Sequence, residues 1–581
     1  MKKIMCFMLC AMMQTAFAES ANQLVDGKYV NFEKYIESLN NFSVVDYTGN
    51  SAGSCRTLQQ YKDNCVNGDN NSRRYISNGD LYNAFEYARS IKAVGVYLPP
   101  GVWNFNNTII VPHGMTLKGS YDRPHNVTKD DLSVENSKMN WSNDNAKWDW
   151  KTETVSWERT HGTNIACFAG WGYDPNGPDN DANNCILLQG TATLDGVNVY
   201  YPQQEKPVPS KSFSPVKYPW TIACRNGGDF QYIARCAIMN TTLVNSYAGI
   251  DLSGAVDHHI RDVNMTAFYK GFFVGGITSQ GSIEGVNIHH QFSAYYYGLQ
   301  YFTMPEGNLE HQNREIRNAK KAYNYMENYI FNHLIGMELG WIDWGWISNV
   351  FIFKAATGFY FTRTSDNFKS QNESCRNDEN CTMARRLSSL DIQNSGCDLC
   401  KYALNVQEVN SGVGVNFTNC NLIGGITISD FNYGTLRMTN SYLGFNAAVS
   451  GYTVKNGTRF YAHSHVTVGE HTTLQISNSE ILDFLEDAEG KWCGSTFIVH
   501  ARGRLLVDNS IFAWPDIDRF NFANNGMPSP NHLSLGQYSI VSLSNNLFRG
   551  SSLVKEGDDI ANFYENGINV FDDTPYNPVD R

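Results

Sequence analysis

A repeat of twenty-two residues constrains the fold of this chain more than any other feature of its sequence. The segment Gly336–Phe361 begins with Gly336-Met-Glu-Leu339 and returns to the same pattern at Gly358-Phe-Tyr-Phe361. An earlier segment behaves alike, because Gly249-Ile-Asp-Leu252 returns as Gly271-Phe-Phe-Val274. Such a repeat is too short for a strand–helix–strand crossover, which needs ~30 residues or more. It fits one coil of a β-solenoid, in which stacked coils bury a shared core.

A second recurring signature occupies the carboxy-terminal half of the chain. Alternating apolar residues are followed there by Asn and then by Ser, Cys or Asn. The pairs are Asn419-Cys420, Asn440-Ser441, Asn478-Ser479, Asn509-Ser510 and Asn545-Asn546. Stacked asparagine side chains bond to their neighbours in adjacent coils. We interpret these pairs as an interior or corner ladder that stabilises the coils, and not as a catalytic motif.

The amino-terminal part carries a different pattern. Helices are predicted over roughly 31–41 and 81–93, and a strand over 94–98 ends in the turn Pro99-Pro-Gly101. The motifs YLPPGVW (97–103) and IIVPHGMTLKGS (109–120) follow this order. Together they resemble the amino-terminal cap of the pectate lyase superfamily, in the branch of rhamnogalacturonase-like and tailspike-like proteins. The resemblance implies an all-β, right-handed parallel β-helix with a small amino-terminal α/β cap.

The resemblance extends to the fold and not to the catalytic motifs. The acidic GDG-x-TDD segment that usually opens this family is missing, and an insertion with cysteines stands in its place. The DD pair and G-H-G of polygalacturonases are also absent in recognisable form. The expected organisation is a signal peptide at 1–18, a cap with first coils at 19–120, a surface insertion at 121–185, the β-helix at 186–550 with a helical insertion near 306–325, and a cap or tail at 551–581.

Residues 1–18 have the pattern of a signal peptide. Lys2 and Lys3 precede an apolar run that ends in Ala16-Phe-Ala18, a typical cleavage site. The run is too short to span a bilayer, and no later segment resembles a membrane span. We therefore expect a secreted, periplasmic or extracellular protein. The insertion at 121–185 is rich in Trp, Asn and Asp, and is either a surface excursion or one wall of a binding cleft.

Cysteine usage agrees with export, because twelve cysteines remain after removal of the signal peptide. In an oxidising compartment, close pairs are expected to form disulfides. The candidate pairs are Cys55–Cys65, Cys167–Cys185, Cys224–Cys236 and Cys375–Cys381. Cys397 and Cys400 form a CxxC for which we favour a structural role over a redox or zinc role.

The net charge of −12 argues against nucleic acid and an anionic membrane surface as partners. It also disfavours a polyanionic substrate unless a cation or a local basic patch intervenes. We expect a polysaccharide partner and no required cofactor. Asp174, Asp179 and Asp181 are candidate calcium ligands, although they lack a recognised ligand spacing. The oligomeric state is left open.

Candidate functional residues follow from the register of the repeat. If the third residue of each G-x-x-apolar strand points outward, equivalent positions form one row, which suits sugar rings and hydroxyls. The row consists of Asp251, Phe273, Gln300, Glu338 and Tyr360. Three coils would place Asp251 about 14 Å from Glu338 at the usual strand spacing. Paired carboxylates of an inverting glycosidase lie roughly 6.5–9.5 Å apart, so these two acids are not expected to form such a pair.

The next corner offers a better acid. Asp343 lies among Trp341, Trp344 and Trp346, and apolar neighbours raise a carboxyl pKa into the range of a general acid. The alternative is that Asp343 makes a turn and the tryptophans brace the core. In the earlier repeat, Asp257 is a candidate catalytic acid and His258 a candidate substrate-binding residue. The alternative is that these residues only form a solvent-exposed turn.

A polysaccharide lyase would instead use a base and a cation that neutralises the uronate. His289, His290, Lys354 and Arg363 are available for these roles, and Arg363 is also a candidate for substrate binding. The leading hypothesis is therefore a secreted glycoside hydrolase or polysaccharide lyase that acts on an extended glycan. The alternative is a non-catalytic β-helix adhesin or glycan-binding surface protein that uses the same aromatic residues.

Overall fold

The structure is a computed structural model. It describes residues 25–26, 28–39, 42–45, 51–55, 75–76, 78–121, 162–176, 183–226, 234–253, 255–275, 280–297, 299, 309–340, 342–361, 389–407, 409, 414–429, 434–446, 453–455, 458–460, 466–484, 497–513, 531–535, 539–549, 555–556 and 563–572. The predicted signal peptide lies outside these residues.

Short β-strands make up most of the described chain. The first fifteen are β1 Val25–Asp26, β2 Tyr29–Asn31, β3 Phe42–Val45, β4 Ser51–Cys55, β5 Tyr75–Ile76, β6 Gly95–Leu98, β7 Gly101–Phe105, β8 Ile109–Val111, β9 Thr116–Gly119, β10 Thr163–Cys167, β11 Ile186–Gln189, β12 Thr193–Asp195, β13 Val197–Tyr200, β14 Trp220–Arg225 and β15 Ala237–Asp251. The next thirteen are β16 His259–Val274, β17 Ser282–Ile288, β18 Ile335–Leu339, β19 Gly345–Phe353, β20 Thr357–Phe361, β21 Ser389–Gln393, β22 Gly396–Asp398, β23 Tyr402–Val406, β24 Gly414–Thr418, β25 Asn421–Ile423, β26 Gly425–Ile428, β27 Thr435–Thr439 and β28 Tyr442–Asn446.

The carboxy-terminal strands complete the series. They are β29 Thr453–Lys455, β30 Thr458–Phe460, β31 Val466–Val468, β32 Thr473–Ser477, β33 Glu480–Phe484, β34 Phe497–Ala501, β35 Arg504–Asp508, β36 Ile511–Ala513, β37 Asn531–Leu535, β38 Ile540–Ser544, β39 Leu547–Arg549, β40 Lys555–Glu556, β41 Phe563–Asn566 and β42 Val570–Asp572. The helices of the described residues are α1 Phe32–Ser38, α2 Asn78–Ser90, α3 Gln291–Tyr296 and α4 Leu309–His333.

The chain divides into two compact units. The first comprises the described residues of Met1–Ile250, Asp262–Thr266 and Gln291–Tyr325. The second comprises those of Asp251–Arg261, Ala267–His290 and Met326–Arg581.

In the first unit, parallel strands stack coil on coil in three series. The series are β2–β6–β9–β12–β15, β7–β10–β13–β15 and β8–β11–β14. Helices α1 and α2 and the small antiparallel sheet of β3, β4 and β5 form the predicted amino-terminal α/β cap. Strand β10 falls within the range predicted as a surface insertion and pairs in parallel with β7 and β13 as a regular coil strand.

The second unit also consists of parallel coils, in three sheets. Sheet 1 runs through β16, β18, β20, β23, β26, β31, β34, β37 and β40. Sheet 2 runs through β17, β19, β21, β24, β27, β32, β35, β38 and β41. Sheet 3 runs through β19, β22, β25, β28, β33, β36, β39 and β42. These pairings confirm the predicted all-β parallel β-helix.

The twenty-two-residue repeat is one coil of this helix. Met337 pairs in register with Phe359 and Leu339 with Phe361 on the next strand of sheet 1. Inward residues of successive coils stack as apolar columns, such as that of Leu436, Leu474 and Leu505 in sheet 2, all fully buried. Burying each such side chain stabilises the fold by about 1.5–3 kcal/mol. Because each coil packs on its neighbours, these columns form one continuous core.

The helical insertion differs in extent from its prediction. It was expected near 306–325 from its charged, non-alternating sequence, whereas α4 begins at Leu309 and ends at His333. The additional turns carry apolar residues such as Met326 and Ile330, which are buried. Packing of these residues favours continuation of the helix past the boundary that charge alone had indicated.

Three disulfides are present among the described residues. They join Cys167 to Cys185, Cys224 to Cys236 and Cys397 to Cys400. The structural role that we favour for the CxxC stays a prediction. The predicted pairs Cys55–Cys65 and Cys375–Cys381 involve residues outside the described part of the chain. In the described ranges, no helix combines the length and the hydropathy needed to cross a bilayer.

Candidate functional site

The predicted outward row lies on sheet 1 of the second unit. Glu338 is in register with Phe273 on one side and with Tyr360 on the other. The structure therefore brings these three residues together. Gln300, which we placed between Phe273 and Glu338, lies outside the described residues. Phe273 is buried rather than open to solvent, and Tyr360 is half-buried.

The acids of this row are engaged within the protein. Glu338 is 8% exposed, and its Oε2 lies 2.6 Å from Nζ of Lys270. Asp251 is also buried, and its Oδ1 accepts the backbone N–H of Ser253 at 2.8 Å. Because the N–H of Leu252 donates to the carbonyl of Phe273, only the strand of Phe273 separates Asp251 from Glu338. Their separation is thus about 10 Å, two strand spacings, and our count of three coils was wrong.

The candidates at the next corner of the earlier repeat also face the interior. His258 is 4% exposed, and burial lowers its pKa to about 4. Its ring packs so closely on Gly281 that a Cβ atom there would lie 2.1 Å from the ring. This burial gives no support to the expected contact of His258 with substrate, which stays a prediction. Asp257 is half-buried and adopts a left-handed backbone, with φ of +53°. This conformation is typical of the turn that we had named as the alternative.

Asp343 and its tryptophans are on the surface. Asp343 is exposed, and Trp344 and Trp346 remain 48% and 39% exposed. The two indoles are tilted, with centroids 6.5 Å apart. Asp343 thus lacks the apolar enclosure that we expected around it, and its catalytic role stays a prediction. Trp341 and Arg363 lie outside the described residues.

Trp346 lies next to a column of polar side chains on the outer face of sheet 2. It is in register with Asp391, which pairs with Asn416, and the line continues through Arg437 to Gln475. The side chain of Asn416 donates to Asp391 at 2.7 Å, and Arg437 donates to Gln475 at 3.0 Å. The tryptophans thus adjoin a polar surface of bonded side chains.

A groove of about 810 Å³ lies along the corner between sheets 2 and 3 and is lined mainly by the corner and by sheet 3. Its walls combine side-chain amides, aromatic rings and carboxylates. The lining residues are Phe351, Asp398, Asn419, Asn421, Ile423, Asn440, Ser441, Tyr442, Asn478, Ser479, Glu480, Asn509 and Ile511. All belong to the second unit.

The asparagine ladder forms the rim of this groove. Asn419, Asn440, Asn478 and Asn509 turn the chain from sheet 2 into sheet 3 with φ between +48° and +55°. Asparagine tolerates this left-handed backbone better than most residues with a Cβ atom. The exposed amide of Asn509 donates to Asn478 at 2.6 Å, which confirms the predicted contact between adjacent coils.

The residue after each ladder asparagine faces inward and fastens the coils. The Oγ of Ser479 accepts the N–H of Ser441 at 3.1 Å and donates to the carbonyl of Ser477 at 2.8 Å. The same pattern joins Ser479 to Ser510 and Cys420 to Ser441. The backbone of the corner is therefore satisfied internally, and the exposed amides of the rim are held at strand spacing of about 4.8 Å.

The floor of the groove is a column of sheet 3. Asn421 is in register with Tyr442, Tyr442 with Glu480, and Glu480 with Ile511. An aromatic ring thus stands one strand spacing from a carboxylate, beside the rim amides of Asn440 and Asn478. Rings stack on sugar faces, whereas amides and carboxylates bond to hydroxyl groups.

A cluster of ionisable groups adjoins one end of the groove. Burial raises the pKa of Asp398, although the charge of Lys354 acts in the opposite direction. Lys354 pairs with Glu327 of helix α4 at 2.8 Å, and Nε2 of His290 lies 3.4 Å from the same oxygen. Burial, reinforced by Lys354, lowers the pKa of His290 to about 3.

Two members of this cluster, His290 and Lys354, were named from the sequence as available groups, whereas Asp398 and Glu327 were missed. The CxxC could have drawn attention to Asp398, because the disulfide of Cys397 and Cys400 brackets it. The two carboxylates among the described residues of the groove lining do not have glycosidase spacing. Asp398 and Glu480 are three coils apart, so their separation is at least about 14 Å, compared with roughly 5–9.5 Å in glycosidases.

Comparisons with known proteins give no close relative. No family model matches this sequence, and no curated protein matches it. Among solved structures, the surface adhesin PfbA of Streptococcus pneumoniae has a TM-score of 0.33 at 9% identity, with 89% of this chain and 92% of the adhesin covered. The DFA-IIIase from Arthrobacter chlorophenolicus A6 in complex with DFA-III has a TM-score of 0.29 at 9% identity, with coverage of 87% and 81%.

The A-module of the mannuronan C-5 epimerase AlgE6 from Azotobacter vinelandii has a TM-score of 0.29 at 7% identity, with 86% of this chain and 92% of that module covered. Scores and identities this low transfer no residue role to this chain.

Proposed function

We propose that this protein is exported and binds an extended polysaccharide in the groove along the asparagine ladder. The observation that carries the proposal is the lining of the groove. Rim amides at regular strand spacing lie beside the ring of Tyr442 and the carboxylate of Glu480. This combination suits a polymer that repeats a ring and a set of hydroxyl groups. The three disulfides support an oxidising compartment.

Binding without cleavage fits this groove better than glycoside hydrolysis. A hydrolase needs two carboxylates on either side of one glycosidic bond, and Asp398 and Glu480 are too far apart to serve one bond. The acids of the predicted row on sheet 1 are buried, and Glu338 is paired with Lys270.

A second candidate function is cleavage of the same polymer. The observation that favours it is Asp398, a groove-lining carboxyl whose pKa is raised, next to Lys354. A carboxyl whose pKa is raised by burial is better suited than an ordinary one to donate a proton to a leaving-group oxygen. In this case Asp398 would be the general acid, and the catalytic roles predicted for Asp343 and Glu338 would be wrong.

One experiment separates the two functions. The purified chain without residues 1–18 is incubated with plant, algal and bacterial polysaccharides, and binding is measured by affinity electrophoresis. Reducing ends and ultraviolet-absorbing unsaturated products are followed in the same samples. Retardation without products supports the binding protein. Reducing ends alone identify a hydrolase and both signals a lyase. No retardation and no products with any polymer would overturn the proposal.

A further inference from the structure

We infer that the groove along the asparagine ladder takes an uncharged polysaccharide, free of carboxylate and sulfate groups, and rejects polyuronates. The inference rests on the proposed function, because it names the class of glycan that the same groove holds. The fold alone is compatible with both uncharged and acidic glycans, so the choice depends on the groove lining.

The charged side chains of the described groove lining are all acidic. Among the described residues that line the groove, the ionisable side chains are Asp398, Glu480 and the phenol of Tyr442, and none is Lys, Arg or His. A polyuronate would bring a carboxylate at every sugar into this wall. Like charges juxtaposed in an interface repel each other and suppress binding of the wrong partner.

Two cations of the surrounding coils, Lys354 and Arg437, are not part of the groove lining. Lys354 lies next to Asp398 but is directed to Glu327, at 2.8 Å, and does not line the groove. Arg437 belongs to sheet 2, where it donates to Gln475 at 3.0 Å and to Asn416 at 3.3 Å. Each of these cations is held by polar partners outside the groove. A uronate would therefore meet carboxylates and amides in the wall.

The polar groups that do line the groove suit hydroxyl groups. Rim asparagines both donate and accept hydrogen bonds, and Glu480 accepts at neutral pH. Tyr442, one strand spacing from Glu480, offers a ring face to the apolar face of a sugar. Asn440 and Asn478 complete this subsite at the rim. Hydroxyl groups can bond to such side chains without bringing a charge.

A bound cation is the main way in which an acidic groove could accept a uronate. The described residues contain no group of three or more His, Cys, Asp or Glu side chains that could hold a metal ion. The test must nevertheless include calcium, because it would reverse the charge argument.

The test compares matched polymers. Each neutral glucan, mannan and galactan is paired with its C6-oxidised derivative, which has the same linkages and carries carboxylates. Affinity electrophoresis or calorimetry at 50 mM salt should show at least tenfold weaker binding of the oxidised partner. The difference should shrink at 500 mM salt, because salt screens exposed charges.

Variants assign the difference to the groove. Glu480→Gln and, separately, Asp398→Asn should narrow the tenfold gap by strengthening binding of the oxidised polymer. Glu565→Gln, which changes an exposed carboxylate outside the lining, should leave the gap unchanged. Use of two groove variants guards against a folding defect in either one.

The outcomes separate this inference from the proposed function. If no polymer of any charge binds, the proposed function is overturned. If polymers bind and the oxidised forms bind as tightly as the neutral ones, with or without calcium, the function stands and the uncharged class is wrong. Binding of chitosan without binding of any uncharged polymer, including N-acetylated chitin oligomers, would also overturn the inference.

Discussion

Oε2 of Glu338 lies 2.6 Å from Nζ of Lys270, and both side chains are almost fully buried. Removal of one partner from such a pair leaves an uncompensated charge in the interior, which costs roughly 3–5 kcal/mol. We therefore expect Glu338→Gln to lower the free energy of unfolding by an amount in this range. Urea titrations that follow far-ultraviolet circular dichroism measure the change.

The control for this pair is the double variant Lys270→Met and Glu338→Leu. Because neither charge remains, it should recover most of the lost stability. A Glu338→Gln variant as stable as the wild type but without activity on a polysaccharide would contradict the structural role and restore the catalytic prediction.

Sequence patterns predicted the coils well because they depend on local rules. A twenty-two-residue period indicates which strands pair, and Met337 indeed pairs with Phe359. The asparagine ladder was also predictable, since its left-handed turn and its stacked amides need the same residue type in each coil.

The site was less predictable because it depends on which segments cover an outward face. Alternation shows that Phe273 and Glu338 point away from the coil interior, but not that they are buried. Asp398 and Glu327 come from distant segments and meet through Lys354 only in the folded chain. No spacing in the sequence signals such a meeting.

Tyr442 should be a main determinant of glycan affinity. It lines the groove next to Glu480, and aromatic anchors in binding sites typically contribute more than ~1 kcal/mol. Tyr442→Ala should weaken binding of a retained polysaccharide by about tenfold, which corresponds to ~1.4 kcal/mol. Affinity electrophoresis or calorimetry measures the change.

The matched control is Tyr564→Ala. Tyr564 is an exposed tyrosine of sheet 2 and does not line the groove. Unchanged affinity in both variants would place the glycan elsewhere, for example on the face of Trp344 and Trp346.

Buried His290 should make stability depend on pH. Its pKa is about 3 in the folded chain, mainly because of burial, compared with about 6.5 when unfolded. Above pH 6.5 the side chain is neutral in both states. Below pH 6.5 only the unfolded state binds the proton, so the free energy of unfolding falls by about 1.4 kcal/mol per pH unit.

Between pH 6.5 and pH 5 this effect amounts to roughly 2 kcal/mol for His290. His258, with a pKa of about 4 in the folded chain, should act in the same direction. Denaturant titrations at pH 7.5, 6 and 5 should show a shallower loss for His290→Gln than for the wild type. Parallel curves for the two proteins would show that His290 is not a neutral buried group.

The left-handed backbone of the asparagine ladder predicts which substitutions the corner tolerates. Asn478 has φ of +49°, a conformation that costs most residues with a Cβ atom roughly 1–2 kcal/mol. Asn478→Gly should therefore be nearly neutral, whereas Asn478→Val should lower the free energy of unfolding by about that amount. Thr473→Val, at a half-buried position of strand β32, serves as the control for a valine in an extended backbone. If Asn478→Gly and Asn478→Val are equally destabilising, the ladder amide and not the backbone conformation is the reason for asparagine at this corner.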